Sequence, residues 1–275
     1  MEEKEQALIN EIKKQDKVAI AFSGGIDSVY LTKKAVEVLG KENVLAVIVN
    51  SELFTNEEFD KAKKTAEILG INFEGTYMHE LHISAIANNR PNTWYSSKKE
   101  LYTTIKHVAA SHGIATVYDG MIIDDFKDFR PGMKAKDEAG VISPLQIAGY
   151  YKTDVRRMAK ADSINVWNKV ASCSLCSRFP YNTHITRKMI NQVIDGERFM
   201  HSLGFNTVRV RHHGDIVRLE VAPEKIVDLV AKRDIVTKKF KELGFLYVAM
   251  DFEGYTEGKM NVTLTEEDKL ASYTA

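Results

Sequence analysis

The sequence predicts an α/β protein: a doubly wound parallel sheet forming a nucleotide-binding domain, with a smaller C-terminal α+β domain. Three observations carry this. Short apolar runs alternate with helical periodicity through the first half of the chain, the pattern of strands covered by helices on both faces. The first apolar run ends in Ser23-Gly24-Gly25 and passes straight into a helix. Regular periodicity lapses near 168–184, and the order then becomes helix, hairpin, helix and strand. The domains are therefore expected at 1–168 and 185–275, joined by a cysteine-bearing connector at 169–184.

Residues 17–22, KVAIAF, read as the first buried strand. Ile26, Tyr30, Leu31, Ala35 and Leu39 space a helix that stops at Gly40. A second strand follows at 44–49. Residues 55–69 read as a helix, because Thr55 can cap it, Glu58 completes a capping box and Gly70 closes it. Residues 71–78 are a weaker strand, 98–111 a helix closed by Gly113, and 114–118 a strand ending at Asp119-Gly120. Parallel sheets bind ligands at the carboxyl ends of their strands, so residues 22–28, 50–52 and 119–125 should converge. Arg130-Pro131-Gly132 and the run 139–145 are irregular and suited to wrapping a nucleotide. Further on, 186–203 is an amphipathic helix ended by Gly204, and 207–221 a hairpin turning at His213-Gly214-Asp215. Pro223 opens a helix expected to run to Leu243, and 246–252 is the last strand. Ser202-Leu203-Gly204-Phe205 and Glu242-Leu243-Gly244-Phe245 echo each other, suggesting one helix–strand module used twice.

The 275 residues carry 38 Lys+Arg and 38 Asp+Glu, a net charge of zero. That balance argues against bulk nucleic-acid binding, which needs a basic field. No run approaches the ~18–20 apolar residues of a membrane helix. The start, Met1-Glu2-Glu3-Lys4-Glu5, lacks the apolar core of a signal peptide. The expected setting is cytoplasmic, with no membrane and no nucleic-acid partner.

The loop Ser23-Gly24-Gly25-Ile26-Asp27-Ser28 carries the first chemistry. Two glycines allow a sharp turn and close approach to a ligand. The helix behind them aims free N–H groups and its positive dipole end at the loop. With the Ser23 and Ser28 hydroxyls this makes a phosphate cradle. It lacks the ending of a Walker loop and the G-x-G-x-x-G of a dinucleotide fold. Asn50 and Asp119, at the next strand ends, join the nucleotide candidates. Asp125, close behind Asp119 and Asp124, is the candidate ligand for Mg²⁺, which prefers oxygen donors and bridges phosphates.

Following the first strand, SGGxDS resembles the pyrophosphate loop of the ATP pyrophosphatases, or adenine nucleotide alpha hydrolases. That resemblance implies cleavage of ATP between its α and β phosphates and adenylation of a substrate oxygen, with Ser23, Gly24, Gly25, Asp27 and Ser28 holding the pyrophosphate. Further motifs narrow it. DG, DD, RPG, EAGVISPL, SCSLCSRFPY and the final RVRHHGDIVRLEV and GKMN segments resemble the LarE-type sulfur transferases of nickel-pincer cofactor synthesis, over nearly the whole chain. The resemblance implies that a carboxylate of a pyridinium biscarboxylic acid mononucleotide is adenylated and converted to a thiocarboxylate. It also implies a homo-oligomer, a hexamer in that family. Two rival readings keep the adenylation: an amide-forming ligase like the NAD or GMP synthetases, and a tRNA thiolase. A nucleotide-sensing protein without turnover is a third.

The two cysteines, Cys173 and Cys176, form no disulfide framework, and one C-x-x-C is only half of a four-thiolate zinc site. Many members of the resembled family carry R-C-Y-x-C-K and an iron–sulfur cluster. Here the matching segment is Thr93-Trp94-Tyr95-Ser96-Ser97-Lys98. A cluster needs thiolates, so none is expected. The resemblance instead makes Cys173 a cysteine that gives up its own sulfur. Cys176 lies outside that pattern and leaves a persulfide relay open. Lys169 and Arg178 sit nearby to favour a thiolate. Arg209 and Arg211, two apart on a strand, share a face with Arg218 and Glu220 of the next strand. They read either as a phosphate site or as solvated cross-strand pairing. By resemblance Glu197, Arg209, Arg211 and Asp228 match a substrate pocket, Trp94 and Ser177 lie near it, and Arg178 joins them. His79-Glu80-Leu81-His82 falls one residue short of a zinc motif and reads as surface, and His212 and His213 as solvated turn residues.

Overall fold

The computed structural model describes residues 3–127, 132–162 and 174–272. Its contacts divide the chain into two compact units. One is built from residues up to Glu80 and from Trp94 to 172, and the other from Leu81–Thr93 and Cys173–Ala271. Nothing in the sequence pattern marks the short excursion of 81–93 into the second unit.

In chain order the first unit begins with α1 (Glu3–Ile12), β1 (Val18–Ala21), α2 (Ile26–Leu39), β2 (Val44–Ser51), α3 (Asn56–Ile68) and β3 (Phe73–Met78). The one-turn helix α4 (Ser84–Ala87) lies in the excursion. There follow α5 (Thr93–Ser111), β4 (Thr116–Tyr118), α6 (Gly132–Ala139), α7 (Pro144–Ile147) and α8 (Lys152–Ala161). The four strands are parallel, in the order β3-β2-β1-β4. Alternation along the strands separates two cores. Val18 and Ile20 of β1, with Val44, Ala46 and Ile48 of β2, pack against Leu8, Ile12, Val29, Ala62 and Val155 from α1, α2, α3 and α8. Ala19, Leu45 and Val47 face the other way, onto Tyr102, Ile105 and Val108 of α5. Helices cover both faces, which is the doubly wound arrangement. Full burial of side chains such as Ile20 and Leu31 contributes about 1.5–3 kcal/mol each. Among the described residues no helix is long and apolar enough to cross a membrane.

The run 139–145 differs from expectation. Residue 142 forms a parallel bridge with Tyr118, its N–H donates to the Val117 carbonyl and its own carbonyl accepts from Asp119 N. Residue 142 thus adds one bridge to the edge of the sheet, between the end of α6 and the start of α7, because its backbone groups find ladder partners there. Arg130 and Pro131 lie outside the described residues.

The second unit holds α9 (Arg187–Ser202), β5 (Val208–His213), β6 (Ile216–Val221), α10 (Ile226–Ala231), α11 (Arg233–Glu242), β7 (Tyr247–Met250) and α12 (Glu266–Ala271). β5 and β6 form the antiparallel hairpin, and β7 adds parallel to β6. The expected helix from Pro223 to Leu243 is two helices, broken where Lys232 leaves helical dihedrals. No Gly or Pro signals that break. The repeated Leu-Gly-Phe motif does recur structurally. Gly204 and Gly244 take φ of +93° and +101°, and Phe205 and Phe245 donate back to the carbonyls of Met200 and Phe240, the Schellman pattern in both places. Both phenylalanines are buried.

Gly196, inside α9, makes a test. Alanine normally stabilises a helix interior over glycine by about 0.5–1 kcal/mol. A Cβ here would sit 2.7 Å from the Phe240 ring and 3.3 Å from Val210, and Phe240 is itself held against Phe199 and Phe245. Gly196→Ala is therefore expected to destabilise the protein by about 1–3 kcal/mol, read as a lower midpoint of urea denaturation.

Candidate functional site

β1 lies between β2 and β4, and all three run the same way. Their carboxyl ends therefore share one edge, and the winding reverses between β1 and β4, where such sheets bind ligands. The phosphate loop leaves β1 at this point. Gly24 has φ +66°, and a Cβ on it would lie 2.9 Å from Ala62 Cα, so only glycine fits. Ser23 Oγ accepts from Gly25 N at 3.2 Å and lies 3.2 Å from Ser28 Oγ, which itself donates to the Gly25 carbonyl. The first-turn N–H groups of α2 have no intrahelical acceptor. Hydroxyls and N–H groups thus line one turn, and the set fits a phosphate group. From β4, Gly120 closes in: a Cβ on it would lie 2.9 Å from Ser28 N.

Asp27 carries the loop's charge. Burial pushes its carboxyl above the usual carboxylate range; Lys152 opposes this and Asp125 adds to it. Lys152 Nζ lies 2.5 Å from Asp27 Oδ2, while Asp27 Oδ1 is buried without a partner. Lys152 opens α8, and its N–H donates to Asp124 Oδ2 at 2.7 Å. Sequence reasoning missed it, since it lies 125 residues from Asp27 in the chain and no local motif surrounds it. Asp125 Oδ2 accepts from Ile122 N at 2.9 Å. Among the described residues no group of three or more His, Cys, Asp or Glu is arranged to hold a metal. A magnesium ion carried by phosphates needs only one or two carboxylates.

Asp119 accepts the Tyr102 hydroxyl at 2.7 Å, the Ser143 hydroxyl at 2.6 Å and Met121 N at 3.2 Å. Burial and the Asp119 charge push the Tyr102 phenol upward, so its proton stays. The carboxylate thus ties α5, residue 143 and its own loop together. Asn50 is similarly engaged: its amide nitrogen donates to Asn56 Oδ1, and its oxygen accepts from Ser51 N.

A second group lies in the other unit. The 3-10 turn Leu175–Arg178 is capped by Ser174 Oγ. Arg178 is buried and grips Glu197 with two bonds, Nε to Oε1 at 2.8 Å and Nη2 to Oε2 at 3.1 Å, the geometry that favours arginine over lysine. Its Nη1 donates to Ser177 Oγ at 2.7 Å. Glu197 Oε1 also accepts from Val210 N. Arg211 donates to the Ser177 carbonyl and, at 2.6 Å, to Glu220 Oε2. Ser177, Arg178, Glu197 and Arg211 therefore form one network. Arg209 stacks its guanidinium 4.8 Å from the Tyr255 ring centre. Asp228 is apart from this network, exposed on α10 and paired with Lys225. Trp94, half-buried in the first turn of α5, belongs to the first unit. Cys176 is buried, with 1% of its surface exposed. Cys173 and Lys169 lie outside the described residues.

Three sequence expectations are corrected. The pairing of β5 and β6 centres on a covered carboxylate and not on a solvated face: Glu220 is fully covered and binds the buried Arg211 across the strands and the partly exposed Arg218 on its own strand. His212 is buried too, between the Phe179 and Phe245 rings; burial lowers its pKa, and it pairs with Gln192. Glu80 is not surface. It is fully buried, accepting the Ser51 and Ser97 hydroxyls at 2.5 Å each, while His79 and His82 on either side are exposed.

Two tests follow from this geometry. Gly120→Ala would press a Cβ on the backbone of the phosphate loop, which has no side-chain rotation with which to yield. Nucleotide affinity is expected to fall by about 1–3 kcal/mol, measured by calorimetric titration with ATP. Glu80 has a pKa raised above its ordinary 4.5, chiefly by burial. The folded state therefore holds that proton more tightly than the unfolded one, and stability is lost as the pH rises from the ordinary 4.5 through the folded pKa. Removing the charge in Glu80→Gln should make the variant gain on the wild type as pH rises through that window, read from denaturation midpoints in acid and at neutrality. A constant difference would contradict this.

The comparisons agree with the geometry. The family model described as NAD synthase matches residues 1–177. The pyridinium-3,5-bisthiocarboxylic acid mononucleotide synthase of Lactiplantibacillus plantarum is 49% identical over 96% of this chain and 95% of its own length. An uncharacterised Synechocystis protein is 36% identical over 91% of this chain and 94% of its own length. The NH(3)-dependent NAD(+) synthetase of Pyrococcus horikoshii is 27% identical over 52% of this chain and 55% of its own length. With the phosphate loop at the switch point of its parallel sheet, the chain belongs to the NAD synthase family, the ATP-using enzymes of the pyrophosphate-loop type, on the branch of the pyridinium-3,5-bisthiocarboxylic acid mononucleotide synthase.

Proposed function

We propose that the enzyme adenylates a carboxylate of pyridinium biscarboxylic acid mononucleotide with ATP, releases pyrophosphate, and gives the sulfur of Cys173 to form the thiocarboxylate. The observation that carries this is the 49% identity to the named synthase along both chains. The phosphate loop supplies the anion site that adenylation needs. Ser23, Ser28 and the first-turn N–H groups of α2 would hold the pyrophosphate, and Lys152 would add positive charge. Magnesium arriving with ATP would take phosphate oxygens and Asp125, beside the unpartnered Asp27 Oδ1; it would neutralise charge on the leaving pyrophosphate. Asn50 and Asp119 would shape the nucleotide site, the latter through Tyr102 and Ser143. Arg178, Arg211 and Arg209 suit the substrate phosphate and carboxylates, Ser177 offers a hydroxyl, and Glu197 holds the Arg178 guanidinium in place; Trp94 and Asp228 keep the substrate assignment that the resemblance implies.

The sulfur step balances without an outside oxidant. The Cys173 thiolate attacks the acyl adenylate, forming a thioester and expelling AMP. A base then takes the cysteine α-proton, the Cβ–S bond breaks, and the electron pair leaves with sulfur as the thiocarboxylate. Dehydroalanine remains in the chain. Cys176 is too buried to attack freely. A cytoplasmic setting suits a donor that must stay reduced. Self-association belongs to the same proposal, a hexamer being expected: β7 is an edge strand with Tyr247 exposed beside an exposed Leu246.

Intact-protein mass after incubation with Mg-ATP and the pyridinium substrate tests the reading. The expected result is loss of one hydrogen sulfide, mapped to residue 173, and no loss in Cys173→Ala. Loss at Cys176, or a persulfide between the two, would favour a relay. Pyrophosphate release with no mass change would sink sulfur donation and favour an amide-forming ligase.

A further inference from the structure

We propose that Asn89 is the positioning residue for the cysteine-bearing segment, its side-chain amide clamping the turn 176–180 that carries Ser177 and Arg178 and begins three residues after Cys173. This rests on the sulfur-transfer reading above. Asn89 follows α4 inside the excursion Leu81–Thr93, the part of the chain that leaves the nucleotide unit to pack with residues 173–271. It is completely buried. Its Nδ2 donates to three carbonyls of one turn: Cys176 at 3.3 Å, Phe179 at 2.9 Å and Pro180 at 3.0 Å. Two hydrogens thus serve three acceptors. The backbone joins in, with Asn182 N donating to the Asn89 carbonyl at 2.9 Å and Ile185 N to the Ala87 carbonyl at 2.7 Å. Arg90 closes the far side through Asn182 Oδ1 at 3.0 Å.

The residue type is the one this position needs. Asn89 holds a left-handed φ of 43°, a region where asparagine is favoured among side chains with a Cβ. Aspartate has the same shape but would present lone pairs to three carbonyl oxygens. Glycine keeps the backbone and lacks the amide. What the clamp holds is functional. The Ser177 carbonyl accepts from Arg211, and Arg178 reaches Glu197 from this turn. A shift of the turn would move the guanidinium proposed for the substrate together with the downstream anchor of the sulfur donor. Misplacement by about 1 Å can cost a catalysed step some hundredfold.

The experiment uses the full chain with Asn89→Gly and Asn89→Asp. Two readouts are taken on native protein. One is the rate at which iodoacetamide alkylates Cys176, resolved from Cys173 by peptide mapping. The other is the rate of sulfur loss from Cys173 at saturating Mg-ATP and pyridinium substrate. Asn89→Gly is expected to alkylate at Cys176 about tenfold faster and to lose sulfur about tenfold more slowly, with Asn89→Asp no better. Wild-type alkylation of Cys176 in the glycine variant would overturn the clamp. Wild-type sulfur loss in that variant would overturn its catalytic importance. Recovery by aspartate alone would show that shape, not donation, matters, and would also overturn the proposal. If wild type loses no sulfur while alkylation still accelerates in Asn89→Gly, the clamp stands and the sulfur-transfer reading falls, taking the positioning role with it.

Discussion

The close approach of Gly120 to the first turn of α2 is the constraint on which the nucleotide unit depends. Backbone meets backbone there, with no side chain to adjust, so the end of β4 and the phosphate loop can move only together. Gly24 fixes the other side of the loop against α3 through Ala62. The loop is therefore held between two glycine contacts. Asp119, one residue before Gly120, spends its carboxylate on Tyr102, Ser143 and Met121 N. That clasp transmits the position of α5 and of the segment around residue 142 to the loop. A rigid cradle of this kind needs little reorganisation when charge develops on a phosphate.

The second unit is organised by buried charge rather than by glycine. Arg178 with Glu197 and Arg211 with Glu220 are removed from most solvent. Pairing buried ions returns roughly what their desolvation costs, whereas deleting one partner exposes the full penalty, about 3–5 kcal/mol. Such pairs are weak as glue and strong as locators. They hold each guanidinium plane in one orientation, and phosphate or carboxylate recognition by a planar fork requires that. Lys225 with Asp228, exposed at i and i+3 on the α10 side, lacks that low-dielectric surrounding and orients little.

Much of the fold was legible because its signals are local. Strand 17–22, the Ser-Gly-Gly turn and the helix behind it are contiguous, so their order alone implies the switch-point site. The twin Leu-Gly-Phe motifs marked two helix ends for the same reason, and the structure closes both as Schellman turns. What escaped the sequence reading depends on partners far along the chain. Lys152 meets Asp27, and Asn89 meets 176–180, only after folding. Glu80 and His212 sat in polar-looking strings that suggested surface, yet tertiary packing buried both and gave each a partner. The break at Lys232 carries no Gly or Pro, so helical periodicity ran straight through it. Lone carboxylates misled in another way: Asp119 was legible as important, but not as a clasp.

Unmet polar atoms complete the picture. A buried donor or acceptor left without a partner costs about 1–3 kcal/mol, and native proteins keep few of them. Among the described residues seven buried side-chain atoms make no hydrogen bond, although one of them, Asp162 Oδ2, faces the Lys34 ammonium at 3.1 Å. Tyr118, Asp162 and His212 hold three of them at places with no other mark of function, and Asn89 Oδ1 belongs to a residue whose amide hydrogens are fully engaged. The remaining three are Asp27 Oδ1 in the phosphate loop and the Nε atoms of Arg211 and Arg218 on the β-hairpin. These fall in the two groups of residues that sequence and geometry single out independently. An acceptor in the phosphate loop suits a cation carried by phosphates, and guanidinium donors on the hairpin suit an anionic substrate.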